Sequence, residues 1–130
     1  MKDVEILSKT ASLLIHAAKM DENYTGKEKG IIEKTLTELG VNESNLQGLM
    51  LEAEKNEQNS NQILDFTKAI KASENSFKVT LVESLWEIIY SDMNSDMYED
   101  NLMRRLTGLL YLDKKMVGDI KERIKKEFLK

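Results

Sequence analysis

Apolar residues recur along this chain in steps of three and four, a spacing that predicts helices almost throughout. Val4, Leu7, Ala11, Leu14 and Ala18 form the first stripe. After a break near 21–26, Ile31, Ile32, Leu36 and Leu39 form a second, and Gly40 ends it as a C-terminal glycine does. Leu46, Leu49, Met50 and Ala53 mark a third helix capped by Asn42 and running into the polar stretch 55–61. Ile63, Phe66, Thr67 and Ile70 suggest a short fourth. Phe77, Leu81, Leu85, Ile88 and Ile89 form the fifth, expected to be the most deeply buried. Leu102, Met103, Leu106, Leu109 and Leu110 form the sixth. Val117, Ile120, Ile124 and Phe128 form the seventh, with lysines on its other faces. No segment alternates strictly for five or more residues, so no strand is expected. The fold class is all-α, a bundle of about seven helices. Trp86 and the methionines sit at helical spacing and are expected to fill the core rather than to form a binding platform.

Composition narrows the chemistry. The 130 residues, 41% hydrophobic and 32% charged, suit one domain spanning 1–130 with a packed core. There is no cysteine, which excludes disulfides, zinc-thiolate sites and thiol nucleophiles. A single histidine argues against His-rich metal sites and a histidine-based triad. No proline and only six glycines disfavour sandwiches, barrels and glycine-rich nucleotide folds. Serine, lysine and tyrosine show no pairing that would mark a nucleophile.

Charge is unevenly spread. Residues 101–130 hold nine Lys or Arg against four Asp or Glu, a balance of +5, whereas residues 1–100 hold ten against nineteen, a balance of −9. The basic segment either complements the acidic body or docks an acidic protein or a lipid surface. Few aromatics accompany it and the whole chain is acidic, so no nucleic-acid partner is expected. The N-terminal residues show no signal or transit pattern. No apolar run of about 18 residues spans a membrane, which leaves association with a membrane surface open. The expected location is cytoplasmic.

Shifting the chain by 71 residues aligns Leu14, Asp21, Asn23 and Glu28 with Leu85, Asp92, Asn94 and Glu99. Apolar pairs continue at Ile31 and Leu102, Ile32 and Met103, and Leu39 and Leu110. The halves run roughly 4–55 and 75–128, each a helix, a short acidic loop and a helix. Each loop ends in a capping box, Thr25-x-x-Glu28 and Asp96-x-x-Glu99. Glu28 and Glu99 therefore have a structural reason to exist. Asp21 and Asp92 stand near the end of a helix, where the dipole is negative, and need another partner such as an amide, a basic side chain or a cation.

Asp92-x-Asn94-x-Asp96 opens like an EF-hand loop, but the sixth and twelfth positions are Met97 and Met103 instead of glycine and glutamate. An EF-hand is rejected. A different carboxylate site remains: Asp21 with Glu28, and Asp92 with Glu99, converging if the halves pack around a pseudo-twofold axis. Oxygen ligands of this kind suit Ca²⁺ or Mg²⁺. His16, whose counterpart is Glu87, is expected to be structural rather than a ligand. Met97 and Leu129 are candidates for an exposed apolar surface.

Two segments carry a family resemblance. They are Leu14-Ile15-His16-Ala17-Ala18-Lys19-Met20-Asp21 followed by Glu28, and Leu85-Trp86-Glu87-Ile88-Ile89-Tyr90-Ser91-Asp92 followed by Tyr98-Glu99-Asp100-Asn101-Leu102-Met103-Arg104-Arg105. Over roughly residues 4–115 the chain resembles the TerB-like family, helical domains associated with tellurite resistance and also found beside DnaJ-type co-chaperones. The resemblance implies an all-α bundle of about seven helices with internal duplication. It also implies metal binding at Asp21, Glu28, Asp92 and Glu99. The family places glycine after each loop aspartate. Here Glu22 and Met93 stand there, and Asn23 and Asn94 are the residues able to take the left-handed backbone.

The leading expectation is a non-enzymatic accessory or interaction domain in a bacterial stress-response or envelope-associated system, with a protein partner and a divalent cation at the acidic loops. The alternatives are a carboxylate metal-dependent hydrolase and a metal-free scaffold that docks through its basic C-terminal helix.

Overall fold

The computed structural model describes residues 4–20, 26–59, 64–90 and 97–128. Among the described residues there are seven helices and no strand: α1 Val4–Met20, α2 Gly26–Glu38, α3 Glu43–Asn59, α4 Leu64–Ile70, α5 Asn75–Tyr90, α6 Met97–Leu109 and α7 Lys114–Phe128. The duplication is exact in register. Adding 71 to the first residue of α1, α2 and α3 gives the first residue of α5, α6 and α7. The short helix α4 belongs to neither half.

Two helices are buried almost all round. On α1, Ala11, Ser12, Leu13, Leu14, Ile15, Ala17 and Ala18 are each at most 3% exposed. On α5, Phe77, Leu81, Val82, Ser84, Leu85, Trp86, Ile88 and Ile89 are equally enclosed. A helix with apolar residues on every face must lie inside the bundle. Four helices pack on this pair, α3 and α4 on α1, α7 on α5 and α2 against both, while α6 meets α4. Truncating one of these central leucines, Leu14 or Leu85, would cost about 2–5 kcal/mol.

Buried hydroxyls satisfy themselves locally. Thr10 Oγ1 donates to the Ile6 carbonyl at 2.7 Å. Ser12 Oγ lies between the carbonyls of Ser8 (3.0 Å) and Ala53 (3.1 Å), the second on α3. Thr35 Oγ1 bonds the Ile31 carbonyl and lies 2.7 Å from Ser84 Oγ, linking α2 to α5. The counterparts of Thr35 and Ser84, Leu106 and Leu13, are both fully buried leucines.

The polar stretch after Ala53 is helical as far as Asn59, further than its apolar pattern indicates. Its polar side chains find partners on α1. Lys19 Nζ donates to Glu57 Oε2 at 2.7 Å, and Asn56 Nδ2 donates to Ser8 Oγ at 3.3 Å. Trp86 is a core residue as expected, and its indole N–H donates to the Val117 carbonyl of α7 at 3.1 Å.

The two halves end their second helices alike. Val41 N donates to the Leu36 carbonyl and Gly40 N to that of Thr37; Leu112 N donates to Thr107 and Tyr111 N to Gly108. Both are Schellman motifs with the penultimate donor in a left-handed conformation. Gly40 holds φ 107° without a side chain, but its counterpart Tyr111 holds φ 55° with one. A non-glycine residue there costs roughly 1 kcal/mol or more. After the second cap, Asp113 Oδ1 accepts from Lys115 N at 3.1 Å and starts α7.

Opposite outcomes are expected at these two sites. Gly40→Ala should lower stability by about 1 kcal/mol, and Tyr111→Gly should raise it by up to about 1 kcal/mol. Thermal or urea unfolding of both variants checks this, and a loss of stability in Tyr111→Gly would refute the strain.

Candidate functional site

The sequence places its candidate carboxylates at two helix starts. α2 begins at Gly26 and α6 at Met97, directly after Thr25 and Asp96, as the capping boxes predict. Glu28 stands in the first turn of α2 and is 3% exposed. Its charge meets the positive end of the helix dipole. Asp21, Asp92 and the side chain of Glu99 lie outside the described residues, as do Leu129 and the side chain of Met97. Among the described residues, no group of three or more His, Asp or Glu could hold a metal ion. Met103, at the twelfth position of the EF-hand-like stretch, is a core residue of α6 at 3% exposure. That placement agrees with rejecting an EF-hand.

His16 belongs to a structural cluster. Its Nδ1 lies 3.6 Å from Glu57 Oε1, and its ring centroid lies 6.4 Å from that of Phe66 on α4. Glu57 also takes Lys19, so one carboxylate ties two side chains of α1 to α3. Glu57 escaped the sequence reading because it sits in a stretch with no apolar periodicity; its signal would have been the register of α3 carried one turn further.

An open groove of about 910 Å³ lies where α5, α6 and α7 meet. Trp86, Met103, Leu112 and Val117 line its floor, and Arg104, Lys114 and Lys121 stand around it. Lys121 Nζ is 5.3 Å from the centre of the Trp86 ring. Sequence reasoning placed Trp86 in the core and lysines on the outer faces of the last helix, but it did not bring the two together.

The model of the family described as tellurite resistance protein TerB matches residues 8–122. The chain belongs to the TerB family. No curated protein and no solved structure matches it. No helix among the described residues of this TerB domain is long and apolar enough to cross a membrane.

Two side chains described in the TerB domain have their ionisation shifted by their surroundings. Glu87, the counterpart of His16, is held above the usual carboxylate range because burial penalises its charge. Lys34 at 3.6 Å opposes this, while Glu38 and Glu83 add to it. On α7, Arg123 is raised by its hydrogen bond to Glu83 of α5, at 2.7 Å. A carboxyl whose folded pKa exceeds its unfolded one contributes stability at low pH, and that contribution is lost as pH rises through the folded value. Glu87→Gln should therefore be more stable than the parent at pH 7, with the difference closing below about pH 4, where the carboxyl becomes protonated in the unfolded state as well. Unfolding midpoints across that range check it, and an equal or lower midpoint at pH 7 would contradict the burial cost.

Proposed function

We propose that this TerB domain is a non-enzymatic accessory or interaction module, working in the cytoplasm in a bacterial stress-response or envelope-associated system, and that its acidic corners hold Ca²⁺ or Mg²⁺. The observation that carries the cation reading is Glu28, a carboxylate with 3% exposure set in the first turn of α2, seven residues after Asp21 in the sequence. The 71-residue register places Asp92 and Glu99 at the equivalent positions before and within α6. Oxygen-only donors and no cysteine suit a hard cation. Family membership over residues 8–122 supports the module reading.

Isothermal titration tests the cation. The chain is expected to bind Ca²⁺ or Mg²⁺ in the micromolar to millimolar range, and the double variant Asp21→Ala with Asp92→Ala to lose at least about tenfold of that affinity, near 1.4 kcal/mol. Absence of heat up to millimolar metal, or an unchanged affinity in the double variant, would remove the metal from the reading.

A further inference from the structure

The groove of α5, α6 and α7 has a counterpart in the first half, and the exchanges between the two fall on its walls. Its floor is closed. Trp86, Met103 and Val117 are 3%, 3% and 7% exposed, the Trp86 N–H is spent on the Val117 carbonyl, and Lys121 Nζ stands 5.3 Å from the centre of the indole ring. What the groove offers a visitor is therefore its walls and rim. In the first half the corresponding walls are joined, since Gln47 Nε2 of α3 donates to Glu33 Oε2 of α2 at 2.8 Å. In the second half Gln47 is replaced by Gly118, Thr37 by Gly108 and Glu33 by Arg104. Gly108 and Gly118 both line the groove, and no atom lies within 4 Å of where a Cβ would stand on either. Neither has the positive φ that calls for glycine. Gly118 stands inside α7, where only proline is a poorer helix former. Backbone geometry and packing do not require these two glycines, whereas an emptied groove does.

Each glycine shares a helix face with one cation, four residues before it: Arg104 with Gly108 on α6, and Lys114 with Gly118 on α7. The first half carries Glu33 and Glu43 at these cation positions. Arg104 and Lys114 are both exposed, and neither makes a hydrogen bond or ion pair among the described residues. No acidic side chain among those residues lines the groove. At the end of α6 stands Tyr111, which also lines the groove and is 72% exposed. Lys71 Nζ, from the turn after α4, lies 5.8 Å from its ring centre. Tyr111 holds φ 55° where its counterpart is Gly40. A large side chain kept in a strained backbone position, and left mostly in water, points to a task for its ring.

The volume of about 910 Å³ is that of a small-molecule site. Two cations without internal partners, one on each wall, match the double charge of a phosphate monoester, whose oxygens accept from a guanidinium and an ammonium together. A purely apolar ligand would gain little from a closed floor. A flat ring would gain from an exposed tyrosine, by offset stacking. We propose that the groove between α6 and α7 binds a small phosphate monoester that carries a planar ring, the phosphate held between Arg104 and Lys114 in the space left by Gly108 and Gly118, and the ring stacked on Tyr111. This site shares no described residue with the acidic corners and goes beyond the cation reading.

The probe is 1-naphthyl phosphate, a dianion at about pH 8, titrated into the full chain by calorimetry and by amide shifts of Gly108 and Gly118. EDTA in the buffer keeps the result independent of any metal at the acidic corners. Binding tighter than about 1 mM is expected, with inorganic phosphate and the singly charged 1-naphthoate each at least about fivefold weaker. Gly118→Leu fills the groove with a better helix former, so it should leave the unfolding midpoint unchanged or higher while reducing affinity at least about tenfold. Arg104→Gln with Lys114→Gln should lose as much without filling it. Tyr111→Gly should bind at least about fivefold more weakly although it unfolds no earlier than the parent, and Tyr111→Phe should stay within about twofold. Lys125→Gln with Lys126→Gln, in the last turn of α7 and outside the groove, should change affinity less than about twofold. No binding up to millimolar probe, or the same loss in the last-turn variant as in the groove variants, would overturn the proposal. Equal binding of inorganic phosphate, or an unchanged affinity in Tyr111→Gly, would overturn the ring's part in it, and equal binding of 1-naphthoate the phosphate's.

Discussion

Everything in this bundle follows from two helices that keep only a narrow edge for water. α1 and α5 are buried over most of their surface, and each is covered by its own half and by the other. Burial at that level leaves no solvent for a stray hydroxyl, so Thr10, Ser12, Thr35 and Ser84 turn to carbonyls or to each other. It also explains why the outer helices can be so polar. α7 combines a narrow apolar stripe, Val117, Ile120 and Ile124, with a largely charged remainder, because one stripe against α5 suffices to hold it.

The apolar periodicity made most of this legible. Stripes at three- and four-residue steps located all seven helices, and the capping boxes located the starts of α2 and α6 to the residue. Gly40 marked its helix end through a backbone requirement that only glycine meets cheaply. The equivalent turn at Tyr111 carried no such mark, because the same hydrogen bonds form there at a conformational cost. The last turns of α3 were hidden for a related reason: Asn56 and Glu57 are held by partners on α1, which no local pattern encodes. The groove was the least legible feature. Each of its residues looks ordinary in its own helix, and it emerges only when Arg104, Gly118 and Lys121 are set beside Glu33, Gln47 and Met50.

Duplication thus left two triplets with one backbone plan and different surfaces. The first is closed between its outer helices, with Glu33 and Gln47 joined across the seam. The second is held to its central helix by Trp86 and by the Arg123–Glu83 pair instead. The packing of α3 on α1 and of α7 on α5 is what both halves retain. Contacts between outer helices were free to diverge.

The helix outside the duplication has its own consequence. α4 sets Phe66 and Ile70 into the core, packs on α1 and also touches α6. It therefore docks the connection between the triplets onto the first of them. Two triplets of one design are an invitation to exchange, since the second of one molecule could cover the first of another. A short, anchored tether changes that balance, because a linked partner is presented at an effective concentration on the order of millimolar. Below that concentration, closure within one chain is favoured over exchange between chains, and the seven residues of α4, which belong to neither half, form part of that tether.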